Sequence, residues 1–366
     1  MLDVSMVSSD IGSLLRSWHT SIREKNVENA NKMRENVTIL HDTSYDLPHE
    51  SLFLTAKLID LRHHLLKKDP QQTKEIIEYL DSKEARLDRQ QQFYYFFLKG
   101  LSAYQEKKYE EALLEFKSAE NLVDLVDNRI DQGEYNYKIA CAYYFVRQSL
   151  ISVSHVKHAQ KIFEDESQKG RIADCEMLLG LNYVDMRQYD IAEEKLHTAL
   201  MYAKEVSDQE LHNRVLHNLG FFYTEQGLSE AGIRYLNSLA LDPSYEHNMK
   251  ACFLICREHC RMGNLRDITE WMKRGLNYLK ETPNLEYTHK FRLLNLLYLE
   301  PNNFDDDIIL ESIAYFQEEK QWQEVEEYSK LFAQSYSKTN EYEKAVYFYE
   351  LALNANKTIN YMEALK

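Results

Sequence analysis

The sequence predicts an all-α protein, with an N-terminal three-helix bundle followed by a right-handed superhelix of about seven helix pairs. Turn-forming residues are scarce, because the 366 residues include only 10 Gly and 5 Pro. Sandwiches, barrels and doubly wound α/β folds need many more turn formers. Hydrophobic residues make up 44% of the chain, enough to bury a large core. A small residue also recurs at a fixed step, as helical repeats require.

Residues 1–67 contain three amphipathic segments and lack that repeat. The first segment has apolar residues at helical spacing, namely Ile11, Leu14, Leu15, Trp18 and Ile22. Two similar segments follow, so we assign residues 1–67 to a three-helix bundle. The stretch KKDPQQT then contains a Pro and no apolar residue. We assign residues 68–89 to a linker region that includes a helix.

The repeat becomes visible after residue 90. Small residues stand 40 positions apart, at Gly100, Ala140, Gly180 and Gly220. In the clearest copy, LLGLNYVDMRQYDIAEEKLHTAL, Gly180, Tyr183, Ala192 and Leu196 have the spacing of a tetratricopeptide (TPR) helix pair. Its small residues allow two antiparallel helices to approach closely, and the larger ones fill the groove between them.

We therefore assign residues 90–366 to a TPR superhelical domain. Less regular copies of the repeat are expected at residues 246–280 and 308–332. With these copies included, about seven helix pairs fit into the domain.

The charge balance argues against two classes of function. The chain has 44 basic and 59 acidic residues and a formal net charge of −15, which opposes binding to nucleic acids or anionic lipids. No stretch approaches the roughly 18 apolar residues of a membrane helix, and the N-terminus lacks the apolar core of a signal peptide. We expect a cytosolic protein that binds neither nucleic acid nor membrane.

The cysteines do not predict a metal site. Cys252, Cys256 and Cys260 follow one helix face, but the outer two would lie about 12 Å apart, too far for one tetrahedral ion. We expect buried, reduced thiols and no metal. The sequence also lacks the GxxxxGK[ST], HExxH and GxSxG motifs, so neither a cofactor nor a self-contained active site is expected.

Several segments resemble the Rap family, which regulates response regulators in Bacillus. LLRSWHTSIREKNVENANKMRENV resembles the family's first two helices, with Trp18 and His19 in place of its aromatic pair. LIDLRHHLL, with Arg62 and His63, resembles the end of its third helix. GLNYVDMRQYDIA and LHNLGFFYTEQG resemble two adjacent repeats of the family.

This resemblance implies a role in two-component signalling and quorum sensing, in processes such as sporulation and competence. The N-terminal bundle and linker would hold a response regulator. Many family members then hydrolyse its aspartyl phosphate, with any Mg²⁺ belonging to the response regulator, whereas others block a transcription factor. A Phr-type pentapeptide on the concave face of the TPR domain would end this hold by compacting the protein.

The catalytic Gln of the phosphatase members is absent here. Counting twelve residues back from Arg62 leads to Glu50. A Gln amide both accepts and donates hydrogen bonds beside an attacking water, whereas an ionised carboxylate only accepts them. Glu50 is therefore either a catalytic residue or a solvated residue in the first turn of a helix. Three functions stay open: a phosphatase, a non-catalytic antagonist of a response regulator, and a generic TPR adaptor.

The resemblance also implies a peptide site. Asp185 in NYVD and Asn218 in LHNLG match an Asp and an Asn that hold the peptide backbone in the family. By repeat register, Tyr144, Phe221 and Glu225 face the same hollow and are predicted to contact the peptide. The alternatives are a polar link between repeats for the first pair and ordinary packing for the aromatic residues.

Overall fold

All elements in the described part of the chain are helical. The computed structural model describes residues 4–43, 50–301 and 304–364, and side chains within 11–37, 50–301 and 304–360. These ranges contain eighteen α-helices, two short 3-10 helices and no strand, which confirms the predicted fold class. The chain forms two compact units, Met1–Val146 with Leu150–Ser167, and Arg147–Ser149 with Gln168–Lys366.

The described part of the first unit contains eight α-helices. These are α1 (Val4–Arg23), α2 (Val27–Thr43), α3 (Glu50–Leu66), α4 (Pro70–Asp81), α5 (Arg89–Gln105), α6 (Tyr109–Glu120), α7 (Arg129–Phe145) and α8 (Ser149–Asp165). The 3-10 helices, Glu84–Arg86 and Val123–Leu125, precede α5 and α7. Helix α4 lies within the predicted linker, while the proposed domain boundaries at residues 67 and 89 stay predictions.

The three N-terminal helices share an apolar core, as the sequence predicts. This core comprises Ile11, Leu15, Trp18, Ile22, Ala30 and Ile59. Side-chain caps define where the next helices begin: Asp69 accepts a hydrogen bond from the Gln72 amide ahead of α4. Asp88 and Gln91 form a capping box at the start of α5. Each cap satisfies backbone donors that have no partner within the helix.

A buried ionic network connects α1 and α3 to α5 and α7. The Arg62 guanidinium donates to Glu134 and to the His19 Nε2, 2.8 Å away, and lies 3.6 Å from Asp131. The Tyr94 hydroxyl donates to Asp131 at 2.7 Å. Asp131 is fully buried, so these partners offset the cost of removing its charge from water.

The described part of the second unit contains ten helices. These are α9 (Lys169–Asp185), α10 (Tyr189–Glu205), α11 (Gln209–Glu225), α12 (Ser229–Leu241), α13 (Asn248–Met262), α14 (Leu265–Glu281), α15 (Leu285–Tyr298), α16 (Asp306–Glu318), α17 (Trp322–Lys338) and α18 (Tyr342–Ala364). Helices α5 to α18 make seven consecutive pairs, as predicted. The copy expected at 308–332 is wrong in register, since this range includes most of α16 and the start of α17, which belong to different pairs.

The helix and turn lengths explain the regular step between the small residues. From α7 to α11, each helix has 17 residues, and three residues separate each helix from the next. The middle turn residue has a left-handed backbone, and in most turns it is not glycine: Arg147, Ser167, Arg187, Ser207 and Gly227. Because arginine and serine adopt the left-handed conformation in these turns, the chain needs few glycines to make them.

Glycine is instead needed where paired helices approach closely. A Cβ on Gly180 would lie 2.7 Å from Leu196 Cγ and 3.3 Å from the carbonyl oxygen of Ala192. Gly220 has the same relation to Leu236, at 2.4 Å. The predicted steric role of the recurring small residue is therefore confirmed at these two pairs.

The second unit also buries the cysteine stripe. Cys252, Cys256 and Cys260 are buried on α13, where the Cys252 thiol donates to the carbonyl oxygen of Trp271 at 3.4 Å. Burial raises the pKa of Cys252 to about 12, so this thiol is protonated at neutral pH. Among the described helices, none is long and apolar enough to cross a membrane.

Candidate functional site

The first helices of three adjacent pairs present matching faces, which together we call the first-helix face. Residues at i, i+4, i+7 and i+11 lie on one side of a helix. The Asp174 carboxylate of α9 and the Arg214 guanidinium of α11 form an ion pair at 3.0 Å, and Glu225 of α11 and Arg257 of α13 form another at 3.0 Å. The face comprises 174, 178, 181 and 185 on α9, 214, 218, 221 and 225 on α11, and 250, 254, 257 and 261 on α13.

Asn218 lies at the centre of this face. It is half-buried, and within the described residues its side chain makes no hydrogen bond to protein. The positions beside it in register are Leu178 and Leu254, which are 4% and 8% exposed. An amide with one donor and one acceptor group, set between apolar residues, suits pairing with an extended peptide backbone.

Asp185 lies at one end of the face, as the last residue of α9. Its carboxylate accepts a hydrogen bond from Arg147 Nη1 at 2.9 Å. The other terminal nitrogen of Arg147 donates to the Gln323 side-chain oxygen at the start of α17. Asp185, which is predicted to hold the peptide backbone, is thus part of an ion pair that was not predicted from the sequence.

Glu225 occupies the equivalent position one repeat later and is also paired. Arg257 donates to Glu225 and contacts the fully buried Glu258 at 3.3 Å. Burial lowers the pKa of the Arg257 guanidinium, but the carboxylates of Glu225, Glu327 and Glu258 outweigh burial and hold it above its usual value. Arg257 therefore carries its positive charge at neutral pH.

The aromatic candidates have different surroundings. Phe221 is half-buried on the first-helix face and packs against the apolar cores on both sides of α11. Tyr144 belongs to the first unit, where its ring centroid lies 5.4 Å from that of Phe145. The structure therefore groups Asp185, Asn218, Phe221 and Glu225 on one face, whereas the role of Tyr144 in the site stays a prediction.

Glu50 is the first residue of α3 and is exposed. Its carboxylate accepts a hydrogen bond from Arg86, which follows α4. A carboxylate paired in this way accepts hydrogen bonds and supplies none, so it lacks the donor function of a Gln.

The arginines that pair with acidic residues on this face were not predicted from the sequence. Asp174 and Arg214 stand 40 residues apart, at the same register in neighbouring repeats. Opposite charges at that spacing predict an ion pair between adjacent first helices. Arg147 and Arg257 have no such signal, because they lie 38 and 32 residues from their acidic partners.

Comparisons with known proteins cover nearly the whole chain. No known protein-family profile matches it. Regulatory protein RapF of Bacillus subtilis is 25% identical over 92% of this chain and 92% of its own length. Response regulator aspartate phosphatase A of the same organism is 24% identical over 96% of both chains.

Solved structures support the same relationship at the level of the fold. A crystal structure of a Rap protein complexed with Competence and Sporulation Factor superposes with a TM-score of 0.85. It is 20% identical and covers 97% of this chain and 99% of its own. With seven helix pairs and near full-length similarity to several Rap proteins, the chain resembles the Rap family in sequence and in fold.

Proposed function

We propose that this protein is a quorum-sensing regulator that binds a bacterial response regulator and is inhibited by a Phr-type pentapeptide. The bundle of residues 1–67 and the linker of residues 68–89 are the proposed contact for the response regulator. The first-helix face is the proposed peptide site, with Asp185 and Asn218 on the peptide backbone. Localisation in the cytoplasm is part of the proposal, because both partners would meet the protein there.

The observation that carries the proposal is the setting of Asn218. A half-buried amide without a hydrogen bond to protein loses solvation and gains little, unless a ligand completes its bonds. Apolar residues flank it in register, and ionic side chains lie toward both ends of the face. This arrangement fits a short peptide whose backbone pairs with the amide and whose side chains contact Phe221 and Leu254.

Calorimetric titration tests the peptide site. Synthetic pentapeptides that span any short secreted precursor encoded beside the gene are titrated into wild type, Asn218→Ala and Asn213→Ala. Asn213 lies on α11 outside the face, so its loss is the matched control. We expect Asn218→Ala to weaken binding about tenfold without changing the circular dichroism spectrum, and Asn213→Ala to bind as wild type does. Equal affinities for all three proteins would contradict the assignment.

The position of Glu50 favours a non-catalytic antagonist over a phosphatase. Its carboxylate is paired with Arg86 and would add negative charge beside an aspartyl phosphate. We therefore expect the protein to bind its response regulator without accelerating loss of the phosphoryl group.

A phosphate-release assay separates these two outputs. Phosphorylated Bacillus subtilis response regulators are incubated with wild type, Glu50→Ala or Glu84→Ala, where Glu84 is an exposed acid near Arg86. The antagonist predicts decay at the rate of the regulator alone in every case. Decay that wild type and Glu84→Ala accelerate, and Glu50→Ala does not, would instead establish phosphatase activity.

A further inference from the structure

Asp185 occupies a position where a carboxylate is electrostatically unfavourable. It is the last residue of α9, and the C-terminal end of a helix carries partial negative charge from its unpaired carbonyl groups. Its side chain is 20% exposed, so water compensates only part of this repulsion. A cation beside Asp185 therefore offsets this repulsion.

Arg147 supplies this cation from the turn after α7. Its backbone is left-handed, with φ of 62°, and its guanidinium lies 2.9 Å from the Asp185 carboxylate. A second hydrogen bond, to Gln323, fixes the plane of the guanidinium. Because its two terminal nitrogens donate to Asp185 and Gln323, the guanidinium stays beside Asp185 and does not rotate toward solvent.

We infer that Arg147 is a specificity-determining residue of the peptide site: its ion pair with Asp185 neutralises this end of the first-helix face and selects an uncharged ligand residue there. The inference rests on the proposed function. The adjacent acid, Glu225, is neutralised in the same way by Arg257 at 3.0 Å. These two ion pairs leave this end of the face without net charge. A ligand there would still find groups with which it can form hydrogen bonds.

A matched control exists one repeat further along. Arg187 occupies the same place in its turn, with φ of 57°, and it is exposed. Within the described residues it makes no ion pair. Replacement of either arginine removes one positive charge from the same kind of turn, but of these two arginines it is Arg147 that pairs with Asp185.

The test uses synthetic pentapeptide pools in which one position at a time is fixed as Lys, Gln or Glu and the others are mixed. Binding of fluorescent pools is measured by polarisation for wild type, Arg147→Met, Asp185→Asn, the double variant and Arg187→Met. In wild type, we expect the pool with Gln at the position facing Asp185 to bind more tightly than the pools with Lys or Glu there. Arg147→Met should favour Lys over Gln at that position by about five- to tenfold, and Asp185→Asn should favour Glu.

If the double variant recovers the wild-type preference for Gln, the single substitutions act through charge and not through a loss of structure. Arg147→Met with Asp185→Asn should regain the preference for Gln, Arg147→Lys should behave almost as wild type, and Arg187→Met should match wild type. The inference is overturned if peptides bind but Arg147→Met and Arg187→Met show the same preferences. Absence of binding by every pool to every protein would overturn the proposed function itself, and the inference with it.

Discussion

At the scale of single residues, two histidines near the N-terminus are held neutral by their surroundings. His63 accepts a hydrogen bond from the Trp18 indole at 3.1 Å and lies 3.1 Å from the Asn31 side-chain oxygen. Burial, together with the charge of Arg34, lowers the pKa of His63 to about 4. Burial and the neighbouring Arg62 likewise lower the pKa of His19 to about 4.

These pKa values predict that acid destabilises the protein. The unfolded chain, with a histidine pKa near 6.5, binds more protons than the folded chain between about pH 6.5 and 4. Stability due to neutral His63 is therefore fully present above pH 6.5 and is lost as the pH falls toward 4. Between pH 7 and pH 5 we expect His63 alone to account for about 2 kcal/mol.

Urea unfolding at these two pH values measures the effect. His63→Gln should show a smaller difference in unfolding free energy between pH 7 and pH 5 than wild type, whereas exposed His158→Gln should not. A difference of equal size in wild type and His63→Gln would disprove the role of this histidine.

Site residues were predictable from sequence only where they match a family pattern or the repeat spacing. Asn218 and Asp185 were found by resemblance, and the structure groups them with Phe221 and Glu225. Arg147 was missed because its role depends on a turn conformation and on Gln323, which is 176 residues away. A single sequence gives no signal for pairing at that separation.

At the scale of helices, close approach within a pair depends on the recurring small residue. A methyl group on Gly180 would lie 2.7 Å from a branched carbon of Leu196. Leu196 is fully buried, so relief of the clash requires movement of packed neighbours.

Two glycines of α9 provide a matched comparison. We expect Gly180→Ala to lower the free energy of unfolding by about 1–2 kcal/mol, even after the gain in helix propensity. Gly170→Ala should cost nothing, because a Cβ there meets no atom within 4 Å. The measurement is urea denaturation followed by circular dichroism, and equal stability of the two variants would refute the packing role of Gly180.

Helix pairs were predictable where this small residue is present and harder to place elsewhere. Gly100, Gly180 and Gly220 mark the first helices of three pairs. The number of residues between corresponding positions of successive pairs falls below 40 from α12 onward, because α12 has 13 residues and α13 has 15 residues. The fixed step therefore fails there, and the copy predicted at 308–332 straddles two pairs.

At the scale of the whole molecule, composition and repeats were sufficient to predict the fold class, and function required comparison with known proteins. The net charge of −15 favours a partner with an electropositive docking surface and accelerates their encounter. A peptide can end such an interaction only if it binds more tightly to the form of the protein that does not hold the partner. Neither the partner nor the peptide is specified by the chain's own composition.

The most direct test of peptide control is a displacement experiment. A fluorescently labelled Bacillus subtilis response regulator is bound to the protein, and the pentapeptide that binds best in calorimetry is added while anisotropy is followed. We expect the anisotropy to fall to that of the free regulator with wild type, and to need about tenfold more peptide with Asn218→Ala. Anisotropy that stays constant while the peptide saturates its site would contradict peptide control.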